Sequence, residues 1–336
     1  MIVRARAPLR IDLAGGWTDV APYAGTRGGA VVNIAIALYA RVTLRSGGQG
    51  VRLRAVDYDS VVTARSADEL RADGELSLVK AVVRRLAPQR PLEIVTASDG
   101  PPGSGLGGSG AMGVALVAAL RLLRGEAVPA ALAAGEAFEI ETEDAGVVGG
   151  RQDQYAAALG GVQFLSFGSP EVSATRLQVP EGALRELESA SILCYTGTSR
   201  LSGDTHRRVW KAFASGDAVV GAALDGLKAA ALQMRRALEQ GDIGLVARLV
   251  SENWRHQQAL APGMRTPLME RLERVAIGAG ADGAKACGAG AGGCMLFIAR
   301  PGREHDVAEA LRQAGAKLLP VVFDATGVAA WETGDR

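Results

Sequence analysis

The segment PPGSGLGGSGAMG, residues 101–113, places six glycines among thirteen residues directly before an apolar, alanine-rich run. Glycine allows backbone conformations that other residues avoid and lets backbone N–H groups approach a ligand closely. The following run has helical periodicity from Ser109, and the first turn of a helix favours negative charge. The segment predicts a phosphate-binding loop, with a purely structural glycine-rich turn as the alternative.

A dinucleotide site is the first specific interpretation of this loop, because Gly103, Gly105 and Gly108 satisfy G-x-G-x-x-G. Such a loop joins the first strand of a βαβ unit to its helix, and an acidic residue closes the next strand about 20 residues on. Here the loop begins at residue 101, helix follows helix after it, and Glu126 lies in a turn. A dinucleotide is therefore not expected.

A P-loop is the second specific interpretation, since Gly105 and Gly110 have its glycine spacing. The pattern then requires Lys followed by Ser or Thr, whereas Ala111 and Met112 follow here. With the dinucleotide loop and the P-loop set aside, the segment predicts another kind of phosphate-binding loop, with the Ser109 hydroxyl at the start of the helix. The Ser109 hydroxyl can cap helix N–H groups or coordinate a magnesium ion carried by the phosphates.

Composition excludes several other classes of function. The chain has 336 residues, 48% of them hydrophobic, which is enough for one large domain or two ordinary ones. Its 37 basic and 36 acidic residues give no field that would attract nucleic acid or anionic lipid. Three cysteines and three histidines show no zinc-ligand spacing. The amino terminus has no apolar stretch of signal-peptide length, and no apolar run is long enough for a membrane helix. We expect a cytoplasmic protein with free thiols and no nucleic-acid or membrane partner.

The order of predicted elements favours an α+β fold. Short β-rich runs, the first over residues 1–7, dominate the first third of the chain. Helical periodicity follows from Ser109, including a helix over residues 129–146, and residues 203–280 are almost wholly helical in pattern. The tail then reads strand, strand, helix, strand, with the last strand over residues 317–324. Strands and helices do not alternate as regular βαβ units, which argues against a doubly wound sheet. We predict two domains, residues 1–187 and 188–336.

Two carboxylates follow the glycine loop. Asp153, in VVGGRQDQYAAALGG, is expected in the first turn of a helix, where the helix dipole helps to keep it ionised, and Glu141 lies twelve residues earlier near the end of the preceding helix. A carboxylate beside a bound nucleotide can hold magnesium or accept a hydroxyl proton. For either residue taken alone, a solvated acid at a helix end is the alternative.

Three motifs together resemble one family. APLRIDLAGG, PPGSGLGGSGA and KACGAGAGGC occur in the order and spacing of the three motifs of the GHMP kinases, named for galactokinase, homoserine kinase, mevalonate kinase and phosphomevalonate kinase. The resemblance covers essentially the whole chain. It implies a ribosomal-protein-S5-domain-2-like N-terminal domain, a ferredoxin-like C-terminal domain, and ATP with Mg2+ as cofactor. The middle motif of that family usually reads P-x-x-x-G-L-G-S-S-A, so Gly108 and Gly110 depart from it.

The resemblance also implies roles for individual residues. Asp153 lies where these kinases place the catalytic aspartate, and Arg10 matches the basic residue that orients it and offsets charge on the phosphoryl group. Ser109 and Glu141 match the magnesium-binding serine and glutamate. The implied ATP-binding residues are Pro102, Gly103, Ser104, Gly105, Leu106, Gly107, Gly108, Ser109 and Gly110.

The acceptor side is implied by GGWTDV, residues 15–20, where galactokinases carry GEHTDY. Asp19 matches their sugar-binding aspartate, whereas Gly16 and Trp17 replace the glutamate and histidine, so we expect a sugar other than galactose. For Trp17, buried packing is the alternative to a platform on the sugar face. The implied acceptor-binding residues are Gly16, Trp17, Thr18, Asp19, Gly288 and Gly290.

Further motifs, GGRQDQYAAALGG and YTGTSRLSGD, resemble the heptose 7-phosphate kinases and the kinase domain of fucokinases, both of which phosphorylate an anomeric hydroxyl. Trp17 favours the fucokinases, whereas QDQYAAALGG and the length of a lone kinase favour the heptose enzymes. We predict a heptose 7-phosphate 1-kinase for nucleotide-sugar synthesis, monomeric or homodimeric, with a fucokinase-like enzyme as the alternative. Arg27, Arg151 and Arg200 are candidates to meet a 7-phosphate.

A protein of another class, a non-catalytic regulator that binds sugar and ATP, can share this fold. Such a regulator would be expected to have lost Asp153, Glu141 or Ser109. All three are present, which favours an enzyme.

Overall fold

The computed structural model describes residues 1–168, 172–197 and 203–334. Its strands are β1 (Ile2–Ala14), β2 (Gly29–Ser46), β3 (Val51–Ala55), β4 (Ser60–Ala64), β5 (Leu92–Ser98), β6 (Val162–Phe167), β7 (Val172–Arg176), β8 (Ser191–Tyr195), β9 (Ala281–Ala286), β10 (Cys294–Ala299), β11 (Lys317–Leu319) and β12 (Ala329–Thr333). Its α-helices are α1 (Ala21–Arg27), α2 (Ser77–Leu86), α3 (Gly108–Leu123), α4 (Ala130–Glu139), α5 (Gln152–Leu159), α6 (Glu181–Ala190), α7 (Gly203–Ala214), α8 (Ala218–Gln240), α9 (Ile243–Gln258), α10 (Pro267–Ala279) and α11 (Glu304–Gln313).

The first sheet is built around β1 and β2, which pair antiparallel along almost their whole length. Its strand order is β12-β1-β2-β5-β3-β4, and β6 pairs with β2 and β7. Only β3 and β5 run parallel among the described strand pairs. Because β12 pairs with β1, residues near the end of the chain complete the sheet that begins at its start. The predicted division at 187/188 falls within α6 and stays a prediction.

The second sheet is antiparallel, in the order β11-β8-β10-β9. Helices α10 and α11 pack together and contact this sheet. Their apolar faces and the strands enclose a second core that includes Trp254, Met269, Phe297 and Leu311. Strands segregated into two mainly antiparallel sheets, with helices packed on them, confirm the predicted α+β class.

Helices α8 and α9 join the two sheets into one structure. Helix α8 contacts β1 and β2, and α9 contacts both β1 and β9. Buried residues of both helices, among them Met234 of α8 and Val250 of α9, belong to the same apolar core as those of β1, β2 and α3. The motifs on β1, before α3 and after β9 are therefore held within one packed unit. None of the helices in the described residues is long and apolar enough to cross a membrane.

Three element boundaries differ from the sequence prediction, each for a physical reason. The first strand was predicted over residues 1–7 but continues to Ala14, because residues 7–14 are buried on both faces and show no polar alternation. The helix predicted over residues 129–146 is α4 followed by a π-helical turn, Ile140–Asp144. The last predicted strand, residues 317–324, ends at Leu319 because Pro320 cannot donate to the ladder.

Candidate active site

A cavity of about 940 Å³ lies where the three glycine-bearing motifs meet. Strand β1 and the turn after it, the loop before α3, the start of α5 and the loop after β9 all contribute to its walls. Seven of the predicted ATP-binding residues line it: Pro102, Gly103, Ser104, Gly105, Gly107, Gly108 and Ser109.

The loop before α3 has the backbone that an anion-binding loop needs. Gly103, Gly105 and Gly107 have φ values of 65°, 76° and 74°, a region that favours glycine over other residues. Helix α3 begins at Gly108, one residue before the predicted start at Ser109, and no side chain caps its first turn. Its first N–H groups and its dipole are therefore available to an anion at the cavity wall.

Arg10 and Asp153 form a close ion pair at the base of this loop. The Nε and Nη2 atoms of Arg10 lie 2.8 Å and 2.5 Å from Asp153 Oδ1, and Nη1 donates to the carbonyl of Gly105 at 2.5 Å. Burial lowers the pKa of Arg10, but the Asp153 and Asp12 carboxylates raise it, and the net direction is upward. Arg10 is thus a fixed cation that joins β1, the loop and α5.

Asp153 lies in the first turn of α5, as the sequence predicted. Its side chain is 28% exposed and lines the cavity, whereas the Arg10 side chain is only 5% exposed. The carboxylate is therefore oriented by a buried guanidinium and still reachable by a ligand. This is the arrangement expected of a group that accepts or orients a proton.

Ser109 and Glu141 are also brought together. Ser109 Oγ donates to Glu141 Oε1 at 2.5 Å, and Gln154 Nε2 donates to the other carboxylate oxygen at 2.5 Å. Ser109 does not cap its helix; its hydroxyl hydrogen-bonds Glu141 instead. Glu141 lies in the π-helical turn, a departure from α-helical geometry that is frequent at functional sites. Burial and then Asp153 raise the pKa of Glu141, opposed by the two hydrogen bonds.

The Ser109 and Glu141 oxygens fit a magnesium ion that arrives with ATP. Mg2+ keeps several waters and binds proteins through one or two oxygen side chains plus substrate phosphates. Within the described residues, no group of three or more His, Cys, Asp or Glu forms a metal cage. A buried carboxylate beside Asp153, with a raised pKa, is a site where an added cation reduces repulsion.

Asp19, the predicted acceptor-binding aspartate, lines the cavity. Its side chain is buried, and its Oδ2 accepts a hydrogen bond from the backbone N–H of Gln152 at 3.2 Å. A Cβ at Gly150 would lie 1.8 Å from the same oxygen, so only glycine there leaves room for the carboxylate. Burial, followed by repulsion from Asp153, raises the pKa of Asp19 to about 7.

Trp17 is buried, as the packing alternative predicts, and it also lines the cavity, so its contact with a sugar stays a prediction. It is 4% exposed, and its ring stacks on His206 with centroids 4.3 Å apart and planes 21° apart. Burial lowers the pKa of His206, opposed by Asp153, so this imidazole is neutral near pH 7.

The third motif closes the site by packing backbone against backbone. Cys294 N donates to the carbonyl of Ser104 at 2.8 Å, and a Cβ at Gly105 would lie 2.6 Å from the carbonyl oxygen of Cys287. Gly288 reaches the cavity wall, and its carbonyl accepts a hydrogen bond from Gln257 at 2.9 Å. The glycines of both motifs are therefore needed for the close approach of two loops.

Comparison with known proteins agrees with this geometry. Residues 77–161 match the family model for the GHMP kinases N terminal domain, and residues 234–317 match the model for GHMP kinases C terminal. A D-glycero-alpha-D-manno-heptose 7-phosphate kinase from Campylobacter jejuni is 34% identical over 98% of each chain. The chain belongs to the GHMP kinase family.

Other relatives of this GHMP kinase differ in how much they share. An L-fucokinase/L-fucose-1-P guanylyltransferase from Bacteroides fragilis is 28% identical over 89% of the chain, which covers 35% of that protein. The crystal structure of a D-glycero-D-manno-heptose 1-phosphate kinase from Bacteroides thetaiotaomicron superposes with a TM-score of 0.82, 31% identity and coverage of 99% and 100% of the two chains.

Four predicted site residues of the GHMP kinase do not reach the cavity. Leu106 is buried, and its carbonyl accepts a hydrogen bond from Arg10 N at 2.9 Å. Thr18 is fully buried, with its hydroxyl 2.7 Å from the carbonyl oxygen of Gly15, so it braces the turn instead of contacting an acceptor. Gly290 lies against Met264, and Gly110 lies against Asp153.

Two of the three arginines that were candidates to meet a 7-phosphate also lie elsewhere. Arg27 pairs with Asp225 at 2.6 Å, and Arg151 lies over the ring of Phe138 at 4.7 Å; neither lines the cavity. Arg200 lies outside the described residues. Within the described part of the chain, Arg10 is the only arginine or lysine in the cavity lining.

An ion pair that sequence reasoning missed connects the first and third motifs. Lys285 Nζ lies 3.1 Å from Asp12 Oδ2 and donates to the Asp12 carbonyl at 2.5 Å, with both side chains buried. A Cβ at Gly16 would lie 2.2 Å from Asp12 Oδ2. Gly16 therefore stands in the motif because it leaves space for the Asp12 carboxylate. The available signal was the i, i+2 spacing of Arg10 and Asp12, which places both on one face of β1.

Gly110→Ala tests the departure from the family motif. A Cβ there would lie 2.7 Å from Asp153 Cβ, so α5 must shift and separate Asp153 from Arg10. We expect kcat to fall by about ten-fold or more, because small misplacement of a catalytic group is costly. The control is Gly135→Ala, a helical glycine with nothing within 4 Å of its added Cβ. Equal kcat values in the two variants would contradict this account.

Lys285→Met tests the buried ion pair. Removing the cation leaves the buried Asp12 carboxylate without its ion-pair partner, and we expect a loss of about 3–5 kcal/mol in the free energy of unfolding, measured with urea. Arg185→Met, which removes an exposed pair with Glu181, is the control and should cost about 1 kcal/mol or less. Similar losses of unfolding free energy in both variants would show that the pair of Lys285 with Asp12 does not stabilise the contact between the first and third motifs.

Proposed function

We propose that this GHMP kinase transfers the γ-phosphoryl group of ATP to the anomeric hydroxyl of D-glycero-D-manno-heptose 7-phosphate, giving the 1,7-bisphosphate. The observation that carries the proposal is Asp153, which faces the cavity between the glycine loop and Asp19 while Arg10 holds it from behind. Identity to the Campylobacter jejuni heptose 7-phosphate kinase over nearly the full chain supports this acceptor.

The transfer follows from these positions. The N–H groups of the loop and of the first turn of α3 bind the ATP phosphates, and Asp153 accepts the proton of the acceptor hydroxyl. The hydroxyl oxygen forms the new bond to the γ-phosphorus as the bond to ADP breaks. Arg10 offsets the negative charge of Asp153 and of the phosphoryl group.

Magnesium supplies charge neutralisation at the ATP phosphates when bound, and Ser109 and Glu141 are the residues that would hold it. Asp19 accepts hydrogen bonds from acceptor hydroxyls and so sets the position of the sugar against Asp153. Each of these side chains lines the same cavity.

A panel of acceptors tests the function. With ATP and Mg2+, ADP release is measured for D-glycero-D-manno-heptose 7-phosphate, L-fucose, galactose and mevalonate. We expect kcat/KM for the heptose phosphate to exceed that for each of the others by about 100-fold. Faster turnover of L-fucose would favour the fucokinase-like alternative, and no ADP release with any acceptor would favour a regulator.

Asp153→Asn tests the proton acceptor. The amide keeps the shape of the side chain but cannot take a proton, so we expect kcat to fall by about 10²–10⁴-fold with ATP affinity largely retained. Asp282→Asn, which alters an exposed aspartate on β9, is the matched control. Wild-type kcat in Asp153→Asn would remove this residue from the mechanism.

The pKa of Asp19 predicts a pH dependence on the acceptor side. Because this pKa is raised to about 7, the carboxylate form becomes dominant only as pH rises through that value. We expect KM for the acceptor to fall several-fold between about pH 6 and pH 8 as Asp19 ionises and becomes a better hydrogen-bond acceptor. Asp19→Asn should lose this part of the dependence and keep only that of the acceptor phosphate. Identical pH profiles in the two proteins would contradict the assignment.

A further inference from the structure

We propose that His206, held face to face against Trp17, hydrogen-bonds the acceptor sugar through its imidazole and fixes how the sugar lies against Asp153. The inference deepens the proposed function and rests on it. His206 belongs to none of the three motifs, and it lines the same cavity as Asp153 and Asp19.

The backbone around Trp17 shows that this ring is held in place at some cost. Trp17 has a φ of 79°, a left-handed conformation that is rare and strained for a bulky residue. The conformation directs the indole into a cluster with His206 and Trp210, whose ring centroid lies 5.8 Å away. Strain of this kind concentrates at ligand-binding sites.

The packing of α7, the helix that carries His206, holds this residue in position. Val209, Trp210 and Phe213 follow His206 at helical spacings of three, four and seven residues, so all four lie on one face. Val209 and Trp210 are buried in the core that also contains Trp17 and Tyr23. The imidazole thus occupies the first position of an otherwise apolar stripe, at the point where that stripe meets the cavity.

Unpartnered nitrogens on both rings indicate a ligand. Nδ1 of His206 and Nε1 of Trp17 are buried without a hydrogen-bond partner in the described residues. A buried polar group left unpaired destabilises the fold, and such groups are uncommon in native proteins. Two of them on stacked rings, both belonging to residues of one cavity wall, are satisfied together when a ligand rich in hydroxyl groups enters.

The chemistry of the pair selects a sugar over a nucleotide phosphate. Indole Nε1 only donates, whereas a neutral imidazole donates at one nitrogen and accepts at the other. A sugar hydroxyl both donates and accepts, so adjacent hydroxyls can serve both rings. The other two histidines lie outside this wall, since neither His256 nor His305 lines the cavity.

Steady-state kinetics of His206→Phe with ATP and D-glycero-D-manno-heptose 7-phosphate test the inference. Phenylalanine keeps the stack on Trp17 and removes both ring nitrogens. We expect KM for the heptose phosphate to rise by about ten-fold, the equivalent of one lost hydrogen bond with a partner left unpaired, while KM for ATP stays within about two-fold. His305→Phe, on the exposed face of α11, is the matched control and should change neither value.

His206→Gln provides a second variant that retains a hydrogen-bonding group. It should give a KM for the heptose phosphate between those of wild type and His206→Phe, and isothermal titration with the heptose phosphate should rank the three proteins in the same order. An unchanged KM in His206→Phe, or equal rises for ATP and acceptor, would overturn the inference while leaving the proposed function intact. A wild-type protein inert towards the heptose phosphate would overturn the proposed function and this inference with it.

Discussion

The ion pair between Arg10 and Asp153 is the interaction around which the site is arranged. Through it, a residue of β1 orients a residue of α5, and the same guanidinium binds the carbonyl of Gly105 in the glycine loop. The pair joins positions 143 residues apart in the chain. The ion pair also explains why residue 110 is glycine, because any side chain there would push α5 away from the loop.

Local sequence patterns predicted the parts of the site that depend on backbone conformation. The glycine loop, the start of α3 after it and the first turn of α5 all lie where periodicity and glycine spacing placed them. The motifs did not give the direction of each side chain. Thr18 and Leu106 match positions of the family motifs, yet the structure turns Thr18 inward to brace a turn and buries Leu106 beside β1.

Contacts between distant segments could not be predicted in this way. The pair of Lys285 with Asp12 spans 273 residues, and neither residue shows a local pattern that points to the other. His206 follows the motif YTGTSRLSGD, in which the sequence pointed only to Arg200 as a candidate ligand of a 7-phosphate. The position of His206 in the cavity depends on the packing of α7. Asp19, Trp17 and His206 line the cavity together with Asp153. The family motifs thus identify the residues around the glycine loop, whereas His206, which we propose contacts the acceptor, reaches the cavity only through tertiary packing.

The central claim is that phosphate is transferred to the anomeric oxygen of a heptose phosphate, and ³¹P NMR of the reaction mixture tests it most directly. Incubation of the protein with ATP, Mg2+ and D-glycero-D-manno-heptose 7-phosphate should produce ADP together with a new phosphomonoester signal that couples to the anomeric proton of the sugar, while the 7-phosphate signal persists. A mixture that contains only ADP and inorganic phosphate, or a new phosphate coupled to a different sugar proton, would contradict the account.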